Sequence, residues 1–240
     1  MKNFLELNRP VNIKMTNLAY EHCCCDFSHE EIISELRSGN ELKKQLCILN
    51  LKKITSQQEA DALVFNLTNQ GGPIREVSSL KINEFMQENS FSKFFQTREI
   101  IDTFLKAITD VNPSVCRNII DIINRVDDSR YFEEILLAKI SAILEELKEF
   151  TKCKTHLLNK KTFNLYWCLE ALIMILGKIT KTEELNKIIL LSSQFNDYTI
   201  REKSAKILSM LTSVPDSLQE VHNLLKTDDN LYVRRFLAEL

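Results

Sequence analysis

The stretch Asn196-Asp197-Tyr198-Thr199-Ile200-Arg201-Glu202-Lys203-Ser204-Ala205-Lys206-Ile207-Leu208 decides how the rest of the chain reads. A turn-forming Asn-Asp pair stops one helical stretch. Ile200-Arg201 then opens the next, with Ser204, Ala205, Ile207 and Leu208 at helical spacing behind it. The same apolar-then-basic dipeptide recurs as Leu42-Lys43, Ile74-Arg75, Cys116-Arg117 and Val233-Arg234. Turn residues precede each copy: Gly39-Asn40, Gly72-Pro73, Asn112-Pro113 and Asp229-Asn230. Counted between the basic residues, the steps are 32, 42, 84 and 33, and 84 is twice 42. A drifted copy fits that gap, with Phe163-Asn164 standing where the dipeptide is expected. Steps of roughly 30–50 residues in a helical chain mark a solenoid, whose stacked helical pairs share one continuous core.

Between the marks the apolar residues recur with a helical period. Ser28 and Glu31, three apart, form a capping-box pair that opens the first helix. Leu42, Leu46, Leu49 and Ile54 make the next stripe. Leu63, Phe65 and Leu67 follow, then Ile74, Val77, Leu80, Ile82 and Phe85. Gly71-Gly72-Pro73 separates those two, with Gly expected in the left-handed region and Pro in the first helical turn. Later stripes carry Phe104 and Ile108, then Ile119 and Ile123, then Phe132 to Leu147. A polar basic stretch, 151–161, interrupts the pattern before an apolar helix around Tyr166 and Trp167. Residues 1–27 carry no clean period.

A turn with Asp or Pro, then Val/Ile-Arg, then small and apolar residues resembles the HEAT-repeat signature. The copies 196–208 and 228–235 carry the resemblance best, and it covers residues 28–240 as about six helix pairs. It departs from the pattern at Lys43 and Asn164. The resemblance implies an all-α, right-handed α-α superhelix, with 1–27 as an irregular lead-in and 28–240 as the repeat domain. It also implies that Arg75, Arg117, Arg201 and Arg234 form a structural ladder reaching turn acids or carbonyls of adjacent units.

Composition agrees with this class. The chain has 240 residues, 31 Lys+Arg against 33 Asp+Glu, 44% apolar residues and only 4 Gly and 4 Pro. That apolar fraction excludes a disordered chain, and so few turn formers exclude a many-stranded β-sandwich. A net charge of −2 lacks the basic excess of a dedicated nucleic-acid binder. The start lacks the apolar core of a secretory signal, and no run reaches the ~18 apolar residues of a membrane span. Seven cysteines, odd in number, read as reduced thiols in a cytoplasmic protein.

The chemistry-bearing constellations are sparse. His22-Cys23-Cys24-Cys25 with His29 lacks the spaced pairs that turn ligands toward one zinc ion, so no metal and no cofactor are expected. Trp167, Tyr166 and Glu170 would be the core of an enzyme of the bilin-lyase or alkylpurine DNA-glycosylase type, which resemble HEAT proteins. Core packing is the simpler reading of Trp167. Residues 91–150 hold 8 basic and 11 acidic groups, and 151–240 hold 13 basic and 10 acidic groups. The basic excess, partly Lys152, Lys154, Lys160 and Lys161, reads as a solvated loop rather than a nucleic-acid groove. Glu133, Glu134, Glu145, Glu146 and Glu149 read as a solvated face, or else as a patch for a basic partner.

The reading is therefore a non-catalytic scaffold or adaptor that binds another protein along a concave surface lined by second helices. Expected contact residues, taken as exposed polar positions there, are Lys44, Glu76, Asn83, Asn118, Asp121, Asn164, Lys203 and Lys206. Neither nucleic acid nor a membrane is expected as partner. The C-terminal end, apolar and without a polar capping repeat, is expected either to self-associate or to mark a shortened chain.

Overall fold

The computed structural model describes residues 28–149 and 155–237. The expected irregular segment 1–27, with its three adjacent cysteines, lies outside the described residues, as do Lys152, Lys154 and the final residues 238–240. Among the described residues every regular element is helical. Elements α1 (His29–Ser38) and α2 (Glu41–Asn50) make the first hairpin, and α3 (Gln57–Phe65) and α4 (Gly72–Met86) the second. A single turn, α5 (Asn89–Ser92), leads to the third, α6 (Arg98–Ala107) with α7 (Pro113–Ile123). Then come α8 (Ser129–Glu149) with α9 (Thr155–Met174), and α10 (Thr182–Ser193) with α11 (Tyr198–Ser209). The last pair is α12 (Gln219–Lys226) with α13 (Leu231–Arg234).

Local chemistry explains where the helices begin. Ser28 Oγ accepts from Glu31 N, and Glu31 Oε2 accepts from Ser28 N, which is the expected reciprocal box. Asn40 and Asp197 supply side-chain oxygens to the first turns of α2 and α11, each satisfying a backbone N–H that has no partner inside the helix. Helix α10 has no such cap of its own. Instead Glu133 of α8 reaches across and accepts from Thr180 N (2.7 Å), Thr180 Oγ1 (2.9 Å) and Lys181 N (2.7 Å).

The hairpins sort into two compact units, residues up to 107 with 112–122, and residues 108–111 with 123 onward. In the first unit α1 packs on α3, α3 on α6, and α2 on α4. In the second, α8 packs on α10, α10 on α12, α9 on α11, and α11 on α13. In these pairs within each unit, first helices touch first helices and second helices touch second helices of the neighbouring hairpin. This is solenoid packing: no hairpin can bury its apolar face alone. Fully buried Leu36, Ile48, Leu63, Ile82 and Phe104 fill the first core, and Phe132, Leu136, Leu172, Ile189 and Ile207 the second. Small polar residues permit close approach where helices cross. Ser192 and Ser204, both fully buried, share a 2.7 Å bond between α10 and α11. In the first unit the buried Asn66 amide donates to Leu36 O and Ala62 O, both at 2.8 Å.

Several sequence expectations need correction. Gly71 sits at φ −58° as the N-cap of α4, and the left-handed residue that ends the preceding turn is Asn69, at φ 58°. Asn tolerates that conformation through local side-chain bonding. Leu49, Phe65 and Leu80 are exposed rather than core. The polar stretch 151–161 is not a break throughout, because α9 already runs from Thr155. Asn164 therefore lies mid-helix and does not mark a second-helix start.

The thiols among the described residues are inert by environment. Cys47, Cys116 and Cys168 are free and buried. Burial pushes the Cys47 and Cys168 thiols up to about 11, far from the thiolate form that reacts. Iodoacetamide at pH 8 is expected to leave these three residues unmodified in the native protein and to label them in urea. Rapid native labelling at Cys47 or Cys168, mapped by mass spectrometry, would contradict the packing.

Candidate functional site: the second-helix faces

The arginine marks stand near the starts of α4, α11 and α13, where their side chains fold back onto the preceding turn. Arg75 donates to Gln70 O, and Arg234 to Asp228 O. Arg201 donates to Phe195 O (2.8 Å) and Asn196 O (2.9 Å). It also forms a fork with Asp228, at 2.6 Å through Nε and 3.0 Å through Nη2. Asp228 belongs to the next hairpin, so this one side chain ties two repeats. Arg117 is exposed. The arrangement needs Arg because only its planar fork can serve two carbonyls and a carboxylate together.

Hydrogen bonds from Arg201 hold the Asp228 carboxyl below the ordinary aspartate range. A depressed folded-state value contributes stability above the unfolded value of about 3.9, and that contribution is lost as pH falls through the lower folded value. Arg201→Ala is expected to cost about 2 kcal/mol near neutral pH. It should also flatten the acid limb of stability below about pH 4. Urea titrations at pH 7 and pH 3 check both, and an Arg201→Ala loss equal at the two pH values would refute the coupling.

The expected contact residues fall into two groups. Lys44 and Lys203 are not exposed: each is 5% accessible. Lys44 Nζ lies 3.3 Å from Gln70 Oε1 and 5.7 Å from the Phe65 ring. Lys203 pairs with Glu170 and stands 4.4 Å from the Tyr166 ring centroid. Burial lowers the Lys203 ammonium, yet Glu170 and Tyr166 outweigh it and leave its pKa raised. Glu76 is exposed and accepts from Asn112 Nδ2 at 2.9 Å, and Asn118 donates to Ser79 Oγ at 3.0 Å. These bonds stitch α4 to the residue before α7 and to the middle of α7. Asp121 is exposed, while Asn83, Asn164 and Lys206 are half-buried.

The second unit's second helices expose an aromatic pair that sequence reasoning missed. Tyr198, first in α11, and Tyr232, second in α13, stack with centroids 6.3 Å apart and planes at 29°. They are 41% and 54% exposed, and Leu231 beside them is 66% exposed. Arg235 lies 5.3 Å from the Tyr232 ring and pairs with Glu202 at 2.7 Å. Their spacing from the arginine marks, three residues for Tyr198 and two for Tyr232, was the signal available. In the first unit a shallow hollow of about 290 Å³ lies between the ends of α2 and α4, lined by Leu49, Leu51, Lys52, Lys81, Glu84 and Phe85 among others.

Trp167 is buried beside Phe163 and Tyr166, and the Glu170 carboxylate is taken by Lys203. The acids of α8 divide: Glu134, Glu145 and Glu146 are exposed, as expected of a solvated face, and Glu133 is buried. Glu133 is 2% exposed, Glu145 meets Lys148 and Lys187, and Glu146 meets Lys161. The lysine of the basic stretch that lies among the described side chains nearest α8 thus neutralises an acid. No helix among the described residues is long and apolar enough to cross a membrane.

No family profile and no curated protein matches the chain. Among solved structures, the chain is similar to a designed armadillo repeat protein. TM-score is 0.46 and identity 11%, covering 88% of this chain and 97% of that one. An engineered protein is similar with TM-score 0.43 and identity 13%, covering 87% and 92%. The fold rests on the hairpin packing described above.

Proposed function

We propose that the chain is a protein-binding scaffold or adaptor that offers the exposed side of its second helices to a partner protein. The observation that carries this reading is the Tyr198–Tyr232 stack, left accessible on adjacent second helices. Large, stiff, amphipathic tyrosines bury much area at small entropic cost, and solvent-exposed ones in register are what an interface needs. Repeated neighbour-to-neighbour packing supports the same reading, since stacked hairpins present area rather than a deep pocket. A cytoplasmic setting suits the buried free thiols.

A photo-crosslinking residue at position 198, in native extract, tests the proposal. Discrete protein adducts are expected there, lost when Tyr232→Ala is added and not formed from position 190 on α10. Equal adducts from positions 198 and 190, or none from 198, would reject this face as the binding surface.

A further inference from the structure

The start of the second hairpin holds a relay of side chains that the scaffold reading does not use. Glu59 of α3 is 2% exposed. Its carboxylate accepts from Thr55 N at 2.6 Å and from Thr55 Oγ1 at 2.9 Å. His29 Nδ1 lies 2.9 Å from Glu59 Oε1, and His29 Nε2 lies 3.2 Å from Ser56 Oγ. Burial raises the Glu59 carboxyl, but the bonds from Thr55 and His29 outweigh it and hold the group below its ordinary value.

The proton positions follow from the donor inventory. An ionised carboxylate only accepts, so in the neutral imidazole Nδ1 carries the proton and Nε2 presents its lone pair to Ser56. Ser56 Oγ already accepts from Glu59 N at 3.3 Å as the N-cap of α3. Its own proton is therefore directed at Nε2. Hydroxyl, imidazole and buried carboxylate in that order are what activates a serine for acyl transfer, whatever the fold around them. Helix α3 has nine residues, and the first backbone N–H groups of a helix, here those of Gln57 and Gln58, have no intrahelical acceptor. They follow Ser56 directly in the chain. The His29 side chain is 40% exposed and Ser56 is half-buried, so a small reagent reaches both from solvent.

We propose that Ser56 is a nucleophile toward small activated acyl and phosphonyl esters, with His29 as general base and Glu59 as the group that orients the imidazole. Ser56 Oγ bonds to the ester carbonyl carbon as its proton passes to His29 Nε2. The carbon–oxygen bond to the leaving alcohol then breaks, and that oxygen takes the proton from Nε2. Water repeats the sequence: it gives a proton to Nε2 and attacks the acyl carbon, the bond from that carbon to Ser56 Oγ breaks, and Oγ takes the proton back from Nε2 as the carboxylic acid leaves. With a fluorophosphonate, the same attack at phosphorus expels fluoride and stops at the Ser56 adduct.

The full chain is treated with a fluorophosphonate probe and the modified residue is mapped by mass spectrometry. The expected result is an adduct on Ser56, absent in Ser56→Ala and at least about tenfold slower in His29→Gln, which keeps the Ser56 cap. Glu59→Gln is expected to slow it as well, and p-nitrophenyl acetate turnover should fall in parallel. Circular dichroism of each variant confirms that the helices remain. No Ser56 adduct on the unaltered chain, or an adduct rate unchanged in His29→Gln, overturns the proposal.

Discussion

Lys203→Ala is expected to cost about 3–5 kcal/mol of folding free energy, measured as a shift in the urea midpoint. Lys203 is 5% accessible and pairs with Glu170 across the α9–α11 interface. Its truncation leaves the Glu170 carboxylate without its cation and opens a void where the four-carbon stem lay. Restoring an apolar pair should recover most of the loss, because two well-packed hydrophobes often match a buried ion pair. Lys203→Met with Glu170→Leu is accordingly expected to be within about 1 kcal/mol of the original protein. The raised Lys203 value means its contribution is fully present at neutral pH. It is lost only as pH rises through the folded-state value, above the ordinary lysine range near 10.4. A Lys203→Ala cost below about 0.5 kcal/mol would show that the pair contributes no more than a surface salt bridge.

Glu133→Ala is the second large effect, about 3 kcal/mol. One carboxylate satisfies two backbone N–H groups and a hydroxyl at the start of α10, which lacks any cap of its own. Removing it takes a buried acceptor, itself only 2% accessible, from three donors on exposed Thr180 and half-buried Lys181. Glu133→Gln keeps one acceptor oxygen and should cost roughly half as much. Hydrogen exchange gives a local readout: the Thr180 and Lys181 amides should exchange far faster in Glu133→Ala, while amides of the first unit stay unchanged. Unaltered protection at Thr180 would mean that water replaces the carboxylate without loss.

Much of the architecture was legible because the turn-and-arginine marks are local chemistry. Arg75, Arg201 and Arg234 fold back onto carbonyls five or six residues earlier, so a short window of sequence contains both donor and acceptor. Residue type alone places Lys44 and Lys203 at the surface, and the structure buries both. Their positions carried the contrary signal: Lys44 precedes buried Cys47 and Ile48 by three and four residues, and Lys203 follows Ile200 by three and precedes Ile207 by four. Both lysines thus lie on the buried stripe. Leu49, Phe65 and Leu80 erred the other way, since apolar type was read as burial. The exposed tyrosine stack and the Ser56–His29–Glu59 relay depend on contacts between hairpins, 34 and about 30 residues apart in sequence. No periodicity within one helix reports such contacts.

The Arg201 fork grips its own turn and the following one at once. A rigid guanidinium spanning both makes the tilt between those two hairpins a matter of side-chain length rather than of backbone compliance. Lysine in its place could not grip both carbonyls and the carboxylate at once and would give a looser joint.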